Sequence, residues 1–335
     1  MKKTVIFILT AALIITMTAC KKKGYQEEQV YEIMNEDIII GKGTEWELNG
    51  MLTLPKNAAE KLPAVVLIQG SGGHDMDEAA FAYKPFKDIA EYLASRGIAV
   101  LRYDKRTFTY SSEMAKNYKD ITIKEETIDD AIAAADLLKN DSRIASEKIF
   151  ILGHSLGGMV APRIDAEGGN FAGIIICAGS PRRLADIWYD QQIAELNTLP
   201  DDQKETWQAQ IDECMGYFNQ FKYMPDEETK KYTLVGASGY YYKDLDAYPS
   251  NEYLKNTDKP VLIMQGGKDF QVSADKDFMQ YQELLQDKAN VTFKLYPNLN
   301  HFFITSKTGT ISEYTKRDTV NSEVLKDIAD WIKTN

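Results

Sequence analysis

The chain has 335 residues, of which 44% are hydrophobic and 27% are charged, so it can bury a full core without a disulfide or a structural metal ion. One large domain or two small ones would fit this length. The formal net charge at pH 7 is −11. A chain this acidic repels phosphate backbones, which excludes nucleic-acid binding.

The amino-terminal residues have the pattern of a bacterial export signal. Met1-Lys2-Lys3 is a short basic start, Thr4 to Met17 is apolar, and Thr18-Ala19-Cys20 ends the apolar stretch. That stretch is shorter than the roughly 20 residues that a transmembrane helix needs, so residues 1–19 are predicted to be a secretory signal peptide. Small residues before a cysteine resemble the lipobox of bacterial lipoproteins, which implies lipidation of Cys20 and an extracytoplasmic, membrane-anchored protein. An ordinary secreted protein and an uncleaved anchor are the alternatives.

Residues 20–36 are predicted to form a polar tether ahead of a folded domain over residues 37–335. Loss of two lysines with the signal peptide leaves 37 basic against 50 acidic residues, a net charge of −13. Beyond the lipobox, Cys177 lies in an apolar run and Cys214 lies in a polar segment. Two cysteines so far apart in sequence do not establish a disulfide, and both are predicted to be free thiols.

Short apolar runs and amphipathic segments alternate along the rest of the chain. Asp37–Gly41 and Trp46–Leu54 predict an antiparallel pair of strands, with Asn49-Gly50 as a turn or a bulge. The later runs are continuous and apolar, which is typical of strands buried on both faces: Ala64–Gln69, Ile98–Tyr103, Lys148–Leu152, Phe171–Ala178, Val261–Gln265 and Val291–Tyr296. Helices are predicted over Lys84–Ser95, Ile123–Lys139, Leu156–Ala166, Ala274–Asp287 and Asn321–Lys333. This alternation predicts a doubly wound α/β fold with a mostly parallel sheet of about eight strands.

One long segment, residues 181–259, breaks the alternation. It contains no convincing strand, and its helical stretches carry many aromatic residues. Because the sheet resumes at Val261, we predict a helical cap inserted between two late strands, not a separate domain.

The stretch Ile149 to Val160, IFILGHSLGGMV, joins a predicted strand to a predicted helix. Its turn, Gly153-His154-Ser155-Leu156-Gly157, matches G-x-S-x-G, the pattern of a strained turn that exposes a nucleophilic serine. Glycines flank the serine because such a turn has no room for Cβ atoms on either side. We predict Ser155 as a nucleophile, with the Leu156 backbone N–H as an oxyanion donor at the positive end of a helix. A turn with an inert serine is the alternative.

A serine hydroxyl also needs a base, and the chain offers three histidines. His154 lies inside the turn itself and is predicted to point away from Ser155. His74 occurs early in the chain, whereas His301 follows a late predicted strand and a short loop. His301 is therefore the predicted base, the alternative being a surface histidine.

A carboxylate has to hold that base. Asp269 ends Gln265-Gly266-Gly267-Lys268-Asp269, directly after a predicted strand, and is the predicted orienting acid. Asp275 and Asp277 are its rivals, but they fall on the following predicted helix. The resulting chain order of serine, aspartate and histidine is that of α/β hydrolases.

A glycine-rich loop, Gly70-Ser71-Gly72-Gly73-His74-Asp75, follows an early predicted strand. Glycines let backbone N–H groups approach a substrate oxygen, so the Ser71 N–H is the predicted second oxyanion donor, with Gly70 or Gly72 as alternatives. The loop lacks the Lys-Ser/Thr of a P-loop and the spacing of a dinucleotide-binding motif, which argues against nucleotide binding. No cofactor is predicted.

Taken together, these motifs resemble the bacterial α/β-hydrolase carboxylesterases of the EstD type, near the dienelactone-hydrolase-like and serine-aminopeptidase-like groups. The resemblance covers residue 37 to the carboxyl terminus and depends on Gly153–Gly158, Gln69–Gly72, Arg102–Arg106, Gln265–Val272 and Asn300–Phe303. It implies an α/β-hydrolase fold, a triad of Ser155, Asp269 and His301, and a helical cap. In one departure, relatives usually begin the oxyanion loop with His-Gly, and Gln69 replaces that histidine here.

The resulting expectation is a serine carboxylic-ester hydrolase that acts on a small-molecule ester through an acyl-enzyme. A serine peptidase or amidase is the alternative, with the acidic cap residues Asp226, Glu227 and Glu228 as candidates to bind an α-amine. A non-catalytic surface lipoprotein is a further alternative. No His, Cys, Asp and Glu cluster has metal-ligand spacing, so no metal is predicted. The sequence sets no oligomeric state.

Two other features each allow two interpretations. The cap aromatics would line an acyl or sugar pocket or would only pack helices, and Tyr240, Tyr241 and Tyr242 are the ones predicted to face the substrate pocket. The basic run Arg102–Arg106 would bind an acidic substrate or form structural salt bridges, and the presence of Asp104 within it favours salt bridges.

Overall fold

The structure is a computed structural model that describes residues 29–335. The predicted signal peptide, Cys20 and most of the predicted tether lie outside the described residues. The end of the predicted tether is already folded, since the first strand begins at Ile33 and pairs with the second strand as far as Pro55.

Eight of the ten strands form one mixed sheet in the order β1-β2-β4-β3-β5-β6-β9-β10. The strands are β1 (Ile33–Ile40), β2 (Leu48–Pro55), β3 (Leu62–Ile68), β4 (Ala99–Tyr103), β5 (Ile144–His154), β6 (Ile174–Cys177), β7 (Thr233–Leu234), β8 (Ala237–Ser238), β9 (Val261–Gly266) and β10 (Val291–Tyr296). β2 pairs antiparallel with both β1 and β4, and the remaining pairs in this sheet are parallel. The predicted α/β-hydrolase sheet of about eight strands is confirmed.

The opening pair differs from the prediction in the position of its turn. Asn49 and Gly50 lie inside β2, opposite Ile39 and Ile38 of β1. The chain reverses earlier, over residues 41–45, where Gly41 takes a φ of 65°. A local Asn-Gly signal is overridden here because the β2 register with β1 and β4 buries Leu48 and Leu52.

Helices cover both faces of the sheet. They are α1 (Pro85–Ser95), α2 (Arg106–Thr109), α3 (Ser111–Asn117), α4 (Asp129–Lys139), α5 (Leu156–Ile164), α6 (Leu184–Leu196), α7 (Asp201–Phe221), α8 (Asp226–Thr229), α9 (Gly239–Ala247), α10 (Ser250–Asn256), α11 (Met279–Leu284) and α12 (Ser322–Thr334). One π-helical turn precedes α4, another follows α5, and a third precedes α11.

Strand β3 shows why the central strands have continuous apolar sequences. Val65 and Leu67 pack in one core with residues of α1 and α12. Val66 and Ile68 pack in a second core with residues of α4 and α5. Since both faces of the strand are buried, no polar alternation remains in its sequence.

The residues between β6 and β9 form helices α6 to α10 and the hairpin β7–β8. The prediction of no strand in this segment is therefore wrong, although each hairpin strand has only two residues. Ala185, Phe218, Phe221 and Tyr242 form a separate apolar cluster in this segment. The rings of Phe218 and Tyr242 lie edge to face with centroids 4.7 Å apart, so part of the aromatic content packs helices together.

The carboxyl ends of the parallel strands meet at one edge of the sheet, which is where open α/β folds place their sites. The glycine-rich loop follows β3, Ser155 follows β5, Asp269 follows β9, and His301 follows β10. Four segments far apart in sequence therefore converge there. No helix within residues 29–335 combines the length and the apolar character that crossing a membrane requires.

Candidate active site

Ser155 occupies the sharp turn between β5 and α5 and has φ 54° and ψ −119°. A non-glycine residue in this region costs about 1–3 kcal/mol, so the surrounding structure has to enforce it. The Ser155 N–H donates to the Cys177 carbonyl at 2.9 Å, and the Ser155 carbonyl accepts from the Met159 N–H at 3.0 Å. These bonds fix the turn, and the Ser155 side chain lines a cavity above the sheet edge.

The turn is closed so tightly that its two glycines have no room for side chains. A Cβ on Gly153 would lie 2.2 Å from the Gly157 carbonyl oxygen, and one on Gly157 would lie 2.3 Å from the Ile68 carbonyl oxygen. Both contacts are with backbone atoms, which cannot swing aside. The glycines of G-x-S-x-G are therefore required by packing at both positions, as the sequence pattern predicts.

His301 and Asp269 form a buried pair at the same sheet edge. The distance from His301 Nδ1 to Asp269 Oδ2 is 2.7 Å. The other Asp269 oxygen accepts the backbone N–H groups of Gln271 and Val272 at 2.8 and 3.0 Å, and Gln265 Nε2 donates to Oδ2 at 2.9 Å. Four donors surround the carboxylate, and its contact with His301 orients the imidazole with Nδ1–H toward Asp269.

Ser155 and His301 line the same cavity, and the hydrogen bonds of the described residues do not include one between their side chains. In unliganded hydrolases this bond is often long and shortens only when substrate arrives. The rival carboxylates lie elsewhere. Asp275 is exposed, and Asp277 is buried against Ser180 and Arg182.

The two predicted oxyanion donors, Leu156 and Ser71, belong to segments next to the serine. Leu156 is the first residue of α5, so its N–H has no acceptor within the helix. The glycine-rich loop passes beside Ser155, since a Cβ on Gly70 would lie 3.1 Å from the Ser155 Cβ. The next residue, Ser71, is held through its carbonyl by His74 Nε2 at 2.8 Å.

The backbone of Gly70 is held at both its N–H and its carbonyl by buried charged residues. Its N–H donates to Glu78 Oε1 at 2.7 Å, and its carbonyl accepts from Lys105 Nζ at 2.7 Å. Lys105 also pairs with Glu126 at 2.8 Å, and Glu126 accepts from the Tyr241 hydroxyl of α9 at 2.6 Å. A continuous line of contacts thus runs from the inserted segment to the glycine-rich loop. The sequence analysis did not identify Glu78 or Glu126, and it included Lys105 only as part of the basic run Arg102–Arg106.

The cavity has a volume of about 600 Å³. Much of its wall is apolar and comes from Met114, Ile121, Met159, Leu184, Ile187 and Trp188. The cavity is also lined by Thr107, Ser111 and Tyr118. The region of α2 and α3 therefore forms a part of the cavity wall that the sequence analysis did not predict. Its size is within the usual range of small-molecule sites.

Two of the three predicted pocket tyrosines line this cavity. Tyr241 and Tyr242 are part of its wall, whereas Tyr240 is not, and the prediction for Tyr240 is wrong. Successive residues of a helix point about 100° apart, and α9 directs the Tyr240 ring outward, where Lys230 Nζ lies 5.1 Å from its centroid.

The basic run Arg102–Arg106 forms structural ion pairs. Arg102 donates to Asp77 at 3.0 Å, and Arg106 Nε donates to Asp130 at 3.1 Å. Asp104 accepts the Met76 N–H at 2.8 Å. Both Cys177 and Cys214 are free. Within residues 29–335, no group of three or more His, Cys, Asp or Glu side chains is arranged to hold a metal ion.

Comparison with known proteins identifies the family of this chain. Residues 85–332 match the model of the prolyl oligopeptidase family. The chain is 34% identical over 289 residues to Esterase EstD of Thermotoga maritima, covering 85% of this chain and 65% of that protein. This chain therefore spans about two thirds of the length of that relative.

Solved structures share the fold at low sequence identity. Est1E from Butyrivibrio proteoclasticus is 18% identical with a TM-score of 0.54, over 89% of this chain and 96% of that chain. Dipeptidyl peptidase 4 of Porphyromonas gingivalis is 19% identical with a TM-score of 0.53, over 90% of this chain and 35% of that chain. The family match and the sheet topology lead to one conclusion: this chain belongs to the prolyl oligopeptidase family and has the α/β-hydrolase fold.

Proposed function

We propose that the chain is a serine hydrolase that cleaves small-molecule carboxylic esters through an acyl-enzyme. The observation that carries the proposal is the arrangement around Ser155. A strained serine at the amino end of α5 shares a cavity with His301, whose Nδ1 lies 2.7 Å from the buried Asp269 carboxylate. A nucleophile, a base and an orienting acid thus occur together at one sheet edge.

In the first half of the reaction, Ser155 Oγ attacks the ester carbonyl carbon while His301 Nε2 takes the hydroxyl proton. The carbonyl oxygen becomes an oxyanion that accepts hydrogen bonds from the Leu156 and Ser71 N–H groups. Collapse of this intermediate breaks the ester C–O bond, and His301 donates its proton to the departing alcohol. The product of this half is an ester between Ser155 and the acyl group.

In the second half, a water molecule loses a proton to His301 Nε2 and attacks the acyl carbon. The oxyanion forms again at the same N–H groups. Collapse breaks the bond to Ser155 Oγ, which regains the proton from His301, and the carboxylic acid leaves. Asp269 accepts the Nδ1–H of His301 throughout and stabilises the imidazolium that forms in each half.

Esters are favoured over peptides by the charges of the cavity. Among the described residues, its acidic wall residues are Glu78 and Glu126, and these are paired with His154 and Lys105. Neither carboxylate is left to bind the α-ammonium group of a peptide. The acidic cap residues are not placed to bind such an ammonium group either. Asp226, Glu227 and Glu228 lie outside the cavity wall and pair with lysines.

A peptidase or amidase is the second candidate, since the family match and the likeness to a dipeptidyl peptidase favour it. A panel of p-nitrophenyl esters from acetyl to decanoyl, beside aminoacyl p-nitroanilides, separates the two. The apolar wall predicts that kcat/KM rises by up to about fourfold for each added CH₂, roughly 0.8 kcal/mol, until the cavity is filled. The anilides are expected to remain uncleaved, and anilide turnover above that of every ester would refute the esterase assignment.

We further propose that the protein is extracytoplasmic and anchored to the membrane by a lipid on Cys20. The lipobox-like Thr18-Ala19-Cys20 supports this. In cells that express the full chain, the wild type is expected in the membrane fraction and Cys20→Ser in the soluble export fraction or with its signal uncleaved. Equal partitioning of the two proteins, with a mass difference no larger than the exchange of sulfur for oxygen, would contradict the lipid anchor. A chain with Cys214→Ser serves as the matched thiol control.

A further inference from the structure

A second buried pair of histidine and carboxylate lies behind the serine, and the proposed reaction does not use it. We propose that Glu78 and His154 are positioning residues that hold the glycine-rich loop and the loop of His301 in place relative to Ser155. This inference rests on the proposed function, because it assigns the pair a role in that reaction. Glu78 is 1% exposed and His154 is 5% exposed.

One hydrogen bond joins the two members of the pair, and two more connect the pair to the catalytic segments. His154 Nδ1 lies 3.0 Å from Glu78 Oε1, and the same oxygen accepts the Gly70 N–H at 2.7 Å. His154 Nε2 lies 3.0 Å from the backbone carbonyl oxygen of His301. His154 is also the residue before Ser155. One ion pair therefore contacts the glycine-rich loop, the turn that presents the nucleophile and the loop that carries the base.

The contacts determine the charge state of the pair. A backbone carbonyl oxygen only accepts hydrogen bonds, so His154 Nε2 must carry a proton. Nδ1 faces Glu78 Oε1, which also accepts from Gly70, and an ionised Glu78 accepts both bonds when Nδ1 carries a proton as well. We therefore assign His154 as an imidazolium and Glu78 as a carboxylate. Burial alone would raise the pKa of Glu78 and lower that of His154, but their attraction outweighs burial and shifts both in the opposite direction.

The other groups around the pair come from several elements. His74, from the glycine-rich loop, helps to lower the pKa of Glu78, and Asp269 helps to raise that of His154. The His154 ring packs on Phe302 and His301, with centroids 5.3 and 4.6 Å away. The positive charge on His154 is therefore largely enclosed by the catalytic loops, and only 5% of the residue is exposed.

Stability alone does not account for this arrangement. A buried ion pair often contributes little net stability, because desolvation offsets the attraction. In addition, Glu78 Oε2 is buried without a hydrogen-bond partner, which destabilises the folded state. A positioning role explains why the carboxylate is oriented to place Oε1 between Gly70 and His154.

The test uses Glu78→Gln, His154→Gln and the double variant in the full chain. Each single variant is expected to lower kcat for a p-nitrophenyl ester by about 10–100-fold, the loss that follows when a hydrogen-bond partner that orients a metal ligand is removed, with KM within about twofold. The rate constant for fluorophosphonate labelling of Ser155 should fall in parallel. Because the two residues act as a unit, the double variant should lose no more than either single variant.

Asp130→Asn is the matched control, since it breaks a buried ion pair with Arg106 that does not line the cavity. It is expected to lower Tm while kcat stays near the wild-type value. Three results would each overturn the proposal. The first is an unchanged kcat in the Glu78 and His154 variants, and the second is a double variant whose losses are additive. The third is that neither single variant unfolds cooperatively while the control does. A wild type that is neither active nor labelled would overturn the proposed function and the positioning role with it, whereas the outcomes above overturn the positioning role alone.

Discussion

Replacing Ser155 with alanine is expected to lower kcat/KM for p-nitrophenyl esters by about 10⁴–10⁶, with Tm close to that of the wild type. The variant lacks the only oxygen that can form the acyl-enzyme at the turn between β5 and α5. The N–H groups of Leu156 and Ser71 remain, so binding should be largely retained. The measurement is steady-state kinetics together with the mass shift after fluorophosphonate treatment, which should appear in the wild type and not in the variant.

Ser111→Ala is the control for this experiment, because Ser111 also lines the cavity but lies on α3. It is expected to keep its fluorophosphonate label and most of its turnover. Esterase activity within tenfold of the wild type in Ser155→Ala would show that another group performs the attack, and the assignment of the nucleophile would have to be withdrawn.

Replacing Asp269 with asparagine is expected to lower kcat by about 10³–10⁴ while the fold is retained. The carboxylate accepts four hydrogen bonds, two from backbone N–H groups and two from the side chains of Gln265 and His301. An asparagine has one acceptor oxygen, which the two backbone N–H groups will hold. Its NH₂ group then faces His301 Nδ1 and forces the proton onto Nε2, the atom that must accept the proton of Ser155.

The matched control is Asp275→Asn, a rival carboxylate in the sequence that is exposed in the structure. It should leave both kcat and KM near their wild-type values. The assignment of the orienting acid would be wrong if the Asp275 variant lost activity and the Asp269 variant kept it. Thermal unfolding of both variants separates a change in chemistry from a loss of folded protein.

Much of the fold could be predicted because its signals are local. Strands such as β3 are continuous apolar runs, and G-x-S-x-G lies between a strand and a helix within twelve residues that can be read directly. The positions of Asp269 and His301 follow from chain order and from the ends of two strands. Each of these inferences needs only a short window of sequence and the rule that sites form at the carboxyl ends of parallel strands.

The remainder depends on contacts between distant segments. Gly70 is held by Lys105, 35 residues away, and Glu126 meets Tyr241, 115 residues away. No short window contains such a pair. Tyr240 and Tyr241 are neighbours on α9, and the way that this helix packs on the rest of the domain determines which of the two rings faces the cavity. At Asn49-Gly50 the local sequence predicts a turn, but the pairing of β2 with β1 and β4 keeps these residues in the strand.

The contacts from Tyr241 through Glu126 and Lys105 to the Gly70 carbonyl have a consequence for selectivity. A substrate group large enough to displace the Tyr241 ring would loosen the segment that presents the Ser71 N–H, even though the substrate itself remains bound. Such a substrate would occupy the cavity and yet react slowly, since the oxyanion would meet a misplaced donor. Discrimination among acyl groups would then occur in the rate of acyl transfer, and poor substrates would act as competitive inhibitors of good ones.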